Sequence, residues 1–224
     1  MKYESYSTPN LDLVFDKCKP YIDMLKSCDD QRLLYRGVFE EDISIKEINH
    51  KWNRDPVDTP SHIHEVLNKE FKISFGWNAR NGVFCYFKTA RKHQLSGYGA
   101  ETYMLFPIGE FEYLWSPKIY DLFGDYEMEM TGYYVPEDVI EDDWLEHLDG
   151  KKGTEEEYET FFNMRQEIYE EDFFEELKRI VKTYLSHGLC NCDQTREISI
   201  KCDKYFLISD EYFEQIQKRI WGIS

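Results

Sequence analysis

Apolar residues recur at helical spacing near the start of the chain, at Leu11, Val14, Phe15, Cys18, Ile22 and Leu25. They predict a helix over 9–27 with Asn10 as a possible N-cap. Pro20 lacks an amide donor and should kink or divide that helix. Leu33–Val38 is short, apolar and followed by polar residues, so it reads as a buried strand, with Arg36 as its one charge. Residues 40–60 are polar, with Pro56 and Pro60 as breakers, and read as a loop. In Ser61–Phe71, Ile63, Val66, Leu67 and Phe71 share one helical face, and Ser61 could cap it.

A β-rich middle follows. Val83–Phe87, Thr102–Phe106 and Phe111–Trp115 read as strands, with a turn at Pro107–Gly109. Residues 121–153 are acidic and turn-rich and give no clear element. Thr154 to Glu157 fits a capping box opening a long amphipathic helix. Its apolar stripe is Tyr158, Phe161, Phe162, Phe173, Leu177, Ile180, Val181 and Tyr184, and Gly188 ends it. Two strands come next, Glu197–Ile200 and Tyr205–Ile208, then a helix over Asp210–Trp221 with Gly222 after it. Strands and helices segregate without strict alternation, which predicts an α+β fold. With no repeat or linker, one domain is expected: a helical segment over about 8–30, a core over about 31–209 and a C-terminal helix over 210–221.

Composition narrows the function classes. The chain has 224 residues, 42% hydrophobic and 17% aromatic, enough to bury a core and to exclude general disorder. No apolar run approaches the roughly 20 residues that span a bilayer, and MKYESYSTPN is too polar for a signal peptide, so a cytoplasm is the expected compartment. A net charge of −17, from 44 acidic and 27 basic residues, repels phosphates and argues against a general nucleic-acid binder. It is compatible with a basic protein partner, with mimicry of nucleic acid, or with simple solubility.

Six cysteines lie scattered without a framework, as expected of reduced thiols. His187, Cys190, Cys192 and Cys202 invite a zinc reading, but their spacing fits no standard structural pattern, and no metal is expected. His62 and His64 lie two apart, so on a helix they face different ways and make no metal pair. His93 sits in a basic island, RKHQ, and reads as a solvated helix face or an adenosine-phosphate contact.

Three segments carry a resemblance: LLYRG at 33–37; RNGVFCYFKTARKHQLSGYG at 80–99 with FPIGEFEYLWSPKIYDL at 106–122; and TREISIKCDKYFLI at 195–208. In order and spacing they resemble the ADP-ribosyltransferase fold, in particular ADP-ribosyltransferase-like proteins of tailed phages. The resemblance implies a split β-sheet core flanked by helices, with 33–37 as the strand of the NAD-binding arginine. The second segment corresponds to a central strand, a helix ending in Tyr-Gly and a strand pair. The third corresponds to the late strand that begins at the catalytic glutamate.

The implied reaction displaces nicotinamide from NAD, the substrate, by a nucleophile on a target. Positive charge develops at the ribose carbon, and a carboxylate facing it stabilises the transition state selectively. Glu197 is the implied carboxylate; taken alone it reads as a solvent-exposed glutamate at a strand end. Arg36 is the implied partner of the pyrophosphate, since its planar fork matches phosphate oxygens; an internal salt bridge is the competing role. Gly37, Arg80, Asn81, Tyr98 and Tyr103 complete the implied NAD contacts. Asn81 stands where the family usually has serine or threonine, with Thr89 farther on, and Tyr98 or Tyr103 would stack on nicotinamide if not used in packing. Two residues before Glu197 the family often has Glu or Gln, whereas this chain has Thr195, a poor general base. His187, Asn191 and Thr195 occupy the implied target-recognition loop.

The resulting expectation is an NAD-dependent mono-ADP-ribosyltransferase modifying a host protein or nucleic-acid component in a bacterial cytoplasm. Its partner would be a host protein, with no membrane and no direct nucleic-acid binding. The alternative is a catalytically inactive acidic protein that binds or inhibits a basic host or defence protein. A third reading, an NAD hydrolase, needs the same pocket with water as nucleophile.

Overall fold

The computed structural model describes residues 10–53, 59–87, 101–126, 137–148, 152–193 and 196–222. The first helix divides where proline divides it. Helix α1 spans Leu11–Lys17 and α2 spans Lys19–Lys26, with a break at Cys18. Pro20 falls in the first turn of α2, where a missing amide costs no helical bond. The Asn10 side chain accepts the Leu13 amide at 3.0 Å, a cap worth about 1 kcal/mol. Val14, Cys18, Ile22 and Leu25 all point into the core.

Seven strands follow among the described residues: β1 Leu34–Val38, β2 Ile45–Asn49, β3 Val83–Phe87, β4 Glu101–Pro107, β5 Glu112–Trp115, β6 Ile198–Lys201 and β7 Lys204–Ile208. They form one antiparallel sheet in the order β2-β7-β4-β1-β3-β6-β5. With its helices this is an α+β fold, as the segregation of elements predicts. The β4–β5 turn passes through Gly109 at φ +71°, the left-handed conformation in which glycine carries no side-chain penalty.

The ladder between β1 and β3 is short. These strands pair through Leu34–Phe87 and Tyr35–Tyr86 alone, while β1 continues against β4 as far as Val38. Strand β3 pairs with β6 through its other half, Val83 to Cys85. The sheet is therefore two half-sheets, β2-β7-β4-β1 and β3-β6-β5, that part company at Arg36.

The chain groups into two compact units. One comprises residues 1–54, 79–120 and 184–224 and carries all seven of these strands, α1, α2 and the C-terminal helix α7, Phe213–Trp221. The other comprises 55–78 and 121–183, with helices α3 Ser61–Phe75, α4 Leu122–Asp125, α5 Glu137–Leu148 and α6 Glu155–Val181. Within this second unit α3 and α5 both pack on α6. His62 lies 3.4 Å from Glu170 of α6, whereas buried His64 bonds Asn68, so the two histidines do face different ways.

Several local expectations need correction. Residues 45–49 are strand, not loop: β2 is an edge strand paired with β7, and its polar residues are held by ion pairs, Glu47 with Lys17 at 2.8 Å and with Lys204 at 3.0 Å. Ser61 is the first residue of α3, not its cap, and Pro60 occupies the cap position without a side-chain bond. Residues 121–153 contain α4 and α5. The capping box at Thr154 and Glu157 forms as predicted, but α6 ends at Val181, and Gly188 instead begins a short 3-10 turn at Leu189–Asn191. The C-terminal helix opens with a 3-10 turn at Asp210–Tyr212 and stops at Gly222, φ +71°. The expected helix ending in Tyr-Gly lies outside the described residues, with Thr89, His93 and Tyr98; so do Pro56 and Thr195.

Candidate functional site

Of the predicted site residues, Arg36 lies at the break between the half-sheets. Arg36 is the first β1 residue beyond the β1–β3 ladder. Its Nη1 donates to the Phe84 carbonyl at 2.9 Å. Strand carbonyls point along the plane of a sheet, so the guanidinium sits in the gap that β1 leaves beside β3. Its Nε is buried and has no hydrogen-bond partner. Among the described residues no carboxylate lies within ion-pair distance of Arg36. Neighbouring Gly37 is buried and pairs with Thr102 of β4.

Glu197 immediately precedes β6, on the other side of β3. Its amide donates to the Tyr120 carbonyl at 2.7 Å, which fixes the point where the chain enters the strand. The residue is 6% exposed, so the reading of a solvated strand-end glutamate is overturned. Arg80 Nη1 lies 3.7 Å from Glu197 Oε1, and the Tyr86 hydroxyl donates to Oε2 at 3.5 Å.

Arg80 is placed by the turn that carries it. The 3-10 turn Ala79–Asn81 is held at both ends: Ser199 Oγ donates to the Ala79 carbonyl, and His50 Nε2 bonds the Asn81 carbonyl, each at 2.6 Å. His50 is itself packed edge-on against Trp52 at 4.7 Å. The Arg80 guanidinium lies over the Phe84 ring at 5.1 Å and reaches Glu197 from there. Asn81 is thus engaged through its backbone.

Arg36 and Glu197 flank β3 from its two sides. Extending the two ladders, Arg36 falls in the row of Cys85 and Glu197 in the row of Tyr86, one residue apart along β3. Adjacent rows leave a sheet on opposite sides, so the two side chains start from opposite faces of the sheet. Their charges bear on a common group. Burial pushes the Cys85 thiol well above its usual pKa; Arg36 opposes the rise, while Cys202, Cys192 and Glu197 add to it.

The other predicted contacts are distributed around this centre. Tyr103 pairs with Arg36 across β1 and β4, is 5% exposed, and uses its hydroxyl to accept from the Ile43 amide at 3.3 Å and to donate to the Glu40 carbonyl at 3.2 Å. Its ring serves packing. His187 and Asn191 present exposed side chains on a segment anchored from beneath. Trp115 Nε1 donates to the His187 carbonyl at 3.0 Å, and the Leu189 amide to the Tyr113 hydroxyl at 3.3 Å. Arg32 donates to the Cys190 and Cys192 carbonyls, both at 2.7 Å, while stacking on Phe87 at 4.3 Å. The segment is also covalently tied, because Cys28 and Cys190 form a disulfide. The expectation of six reduced thiols is corrected accordingly: Cys18, Cys85, Cys192 and Cys202 are free and buried. Spacing alone could not pair cysteines 162 positions apart.

Sequence reasoning missed the Arg80–Glu197 pair, the His50 and Ser199 clamps and the role of Tyr120. None of these has a local signature. Among the described residues no cluster of His, Cys, Asp or Glu is arranged to hold a metal ion, and no helix is long and apolar enough to cross a membrane. No protein-family model, no curated protein and no solved structure matches the chain.

Proposed function

We propose that the protein is an NAD-dependent ADP-ribosyltransferase whose dinucleotide lies at the break between the half-sheets. The observation that carries this reading is that Arg36 has no carboxylate partner among the described residues. Among the described arginines, Arg32, Arg80, Arg165, Arg179 and Arg219 each have a carboxylate within ion-pair distance. In a chain with 44 acidic residues, a partly buried arginine without one is poised for an external anion. The pyrophosphate of NAD supplies such an anion.

In this reading the C–N bond between ribose and nicotinamide breaks, a bond forms from the ribose carbon to the acceptor atom, and the acceptor releases a proton. Arg36 binds and orients the pyrophosphate. Glu197, restrained by the hydrogen bond from its amide to the Tyr120 carbonyl, hydrogen-bonds the ribose and faces the positive charge that develops there. Arg80 holds the carboxylate in place. Positioned groups of this kind act by orientation and by preorganised charge, which need no rearrangement during the reaction.

The test is incubation of the protein with labelled NAD and bacterial lysate. Modified bands indicate a transferase, free ADP-ribose a hydrolase, and neither a binding protein. Glu197→Gln should abolish labelling while the protein stays folded, and undiminished labelling in that variant would falsify the role of Glu197. A second reading, an acidic binding protein without catalysis, is favoured by the exposed carboxylates along α6, among them Glu155, Glu156, Glu159, Glu167, Glu171 and Glu175. It is the conclusion if neither product appears and NAD gives no binding heat.

A further inference from the structure

The negative charge of the chain is not spread evenly. The helical unit, residues 55–78 and 121–183, holds 25 acidic and 8 basic residues, whereas the sheet unit holds 19 of each. The whole net charge of −17 therefore belongs to the helical unit. Within that unit α6 is covered on two sides. Glu170 and Phe174 meet His62 of α3, while Phe161 and Arg165 meet Trp144 and Asp143 of α5. At about 3.6 residues per turn, the remaining side presents Met164, Glu167, Ile168 and Glu171. All four are exposed, Met164 by 48% and Ile168 by 44%. Among the described residues neither Glu167 nor Glu171 has an ion-pair partner.

We propose that this side of α6 is a docking surface for a basic amphipathic helix of another protein. Residues four apart on a helix stand one above the other. Met164 and Ile168 therefore form one apolar row, and Glu167 and Glu171 form an acidic row beside it. A helix with apolar residues at i and i+4, and lysines or arginines next to them, matches both rows at the same repeat. Carboxylates alone would attract any cation; the apolar row is what calls for a side chain. The unbranched thioether of Met164 adapts to the shape of whatever packs on it. Charge selects the class of occupant. A surplus of 17 negative charges turns away nucleic acid, an anionic membrane and a second copy of this chain, and steers a cationic protein segment inward. The surface deepens the binding reading by naming the partner, and it stands equally beside catalysis, because its evidence lies wholly in the helical unit.

The test titrates the full chain against a fluorescein-labelled peptide of leucine and lysine whose leucines share one helical face, read by fluorescence anisotropy. A second peptide has the same composition in an order that forms no apolar face. We expect saturable one-to-one binding of the first and about tenfold weaker binding of the second. Equal affinity for the two, or no binding of the first, overturns the proposal. Glu167→Lys combined with Glu171→Lys should weaken binding about tenfold or more. Glu110→Lys combined with Glu214→Lys makes the same charge change at exposed positions of the sheet unit, and should alter affinity by less than about twofold. Equal losses in these two double variants would reduce the effect to bulk charge and remove the site. Met164→Gln combined with Ile168→Gln, at exposed positions that the fold tolerates, should weaken binding while leaving its salt dependence unchanged. The methyl NMR signal of Met164, assigned by its loss in Met164→Gln, should shift on saturation, and an unmoved signal counts against the placement. Peptide binding without NAD turnover would refute the transferase reading and leave this surface standing.

Discussion

Replacing Arg36 by alanine separates a binding role from a structural one, because the two make opposite demands on stability and affinity. Among the described residues Arg36 makes one hydrogen bond, to the Phe84 carbonyl at 2.9 Å, and no ion pair. Losing a hydrogen bond from a charged donor costs about 1.5–3 kcal/mol, while removing a buried unbonded Nε relieves about 1–3 kcal/mol. These terms offset, so the net stability change should stay within about 1 kcal/mol, a Tm shift of about 2–4 °C for a chain of this size. NAD affinity should respond quite differently. A charge-assisted bond to phosphate is worth about 1.5–3 kcal/mol, which corresponds to about a tenfold to 150-fold rise in Kd. Calorimetry with NAD and thermal unfolding, performed on the same preparation, measure both quantities. A drop in Tm beyond about 10 °C with unchanged NAD affinity would show that Arg36 supports the sheet and binds nothing, and the reasoning would be refuted.

Arg80→Ala should behave in the reverse way. It strands Glu197, 6% exposed, without its cation, and breaking a buried pair from one side costs about 3–5 kcal/mol. Urea denaturation reads this loss, and Arg80→Ala combined with Glu197→Gln should recover part of it; full stability in Arg80→Ala alone would mean the pair is not structural. Reducing the Cys28–Cys190 disulfide should lower the urea midpoint. The bond closes a loop of 162 positions, for which chain entropy gives an upper bound of about 5 kcal/mol, and Cys28→Ser should make the protein indifferent to reductant. The four free cysteines should resist alkylation at neutral pH until the protein unfolds, since burial pushes Cys192 and Cys202 each up to about 12; rapid native-state labelling of either would contradict their placement. Hydrogen bonds from Lys17 and then Lys204 hold the Glu47 carboxyl below its ordinary value of 4.5. Its contribution is therefore present above pH 4.5 and lost as pH falls through the depressed folded value. With Lys17 38% exposed the effect should stay below about 1 kcal/mol, and Glu47→Gln should flatten that part of the acid-unfolding curve.

Local physics was legible along the chain. Asn10 and the Thr154–Glu157 box cap helices as their side chains dictate, Pro20 divides the first helix, and the apolar runs at 33–38, 83–87, 102–106, 111–115, 197–200 and 205–208 form strands to within a residue of those bounds. Each of these features is decided by residues within a few positions of one another. Strand β2 was not legible because its polar residues are satisfied by Lys17 and Lys204, far away in sequence, and the end of α6 was misplaced because Gly188 serves a 3-10 turn instead.

The candidate site divides along the same line. Sequence by itself determined which groups were available: a guanidinium on a short apolar strand, a carboxylate at the start of another, and a surplus of negative charge. Tertiary structure decided which of those groups are paired. Arg80 comes to rest against Glu197, whereas Arg36 reaches the Phe84 carbonyl and, among the described residues, no carboxylate. Whether a buried charge is satisfied depends on which distant strands become neighbours, and the short β1–β3 ladder that leaves Arg36 in a gap exists only once the whole sheet has assembled.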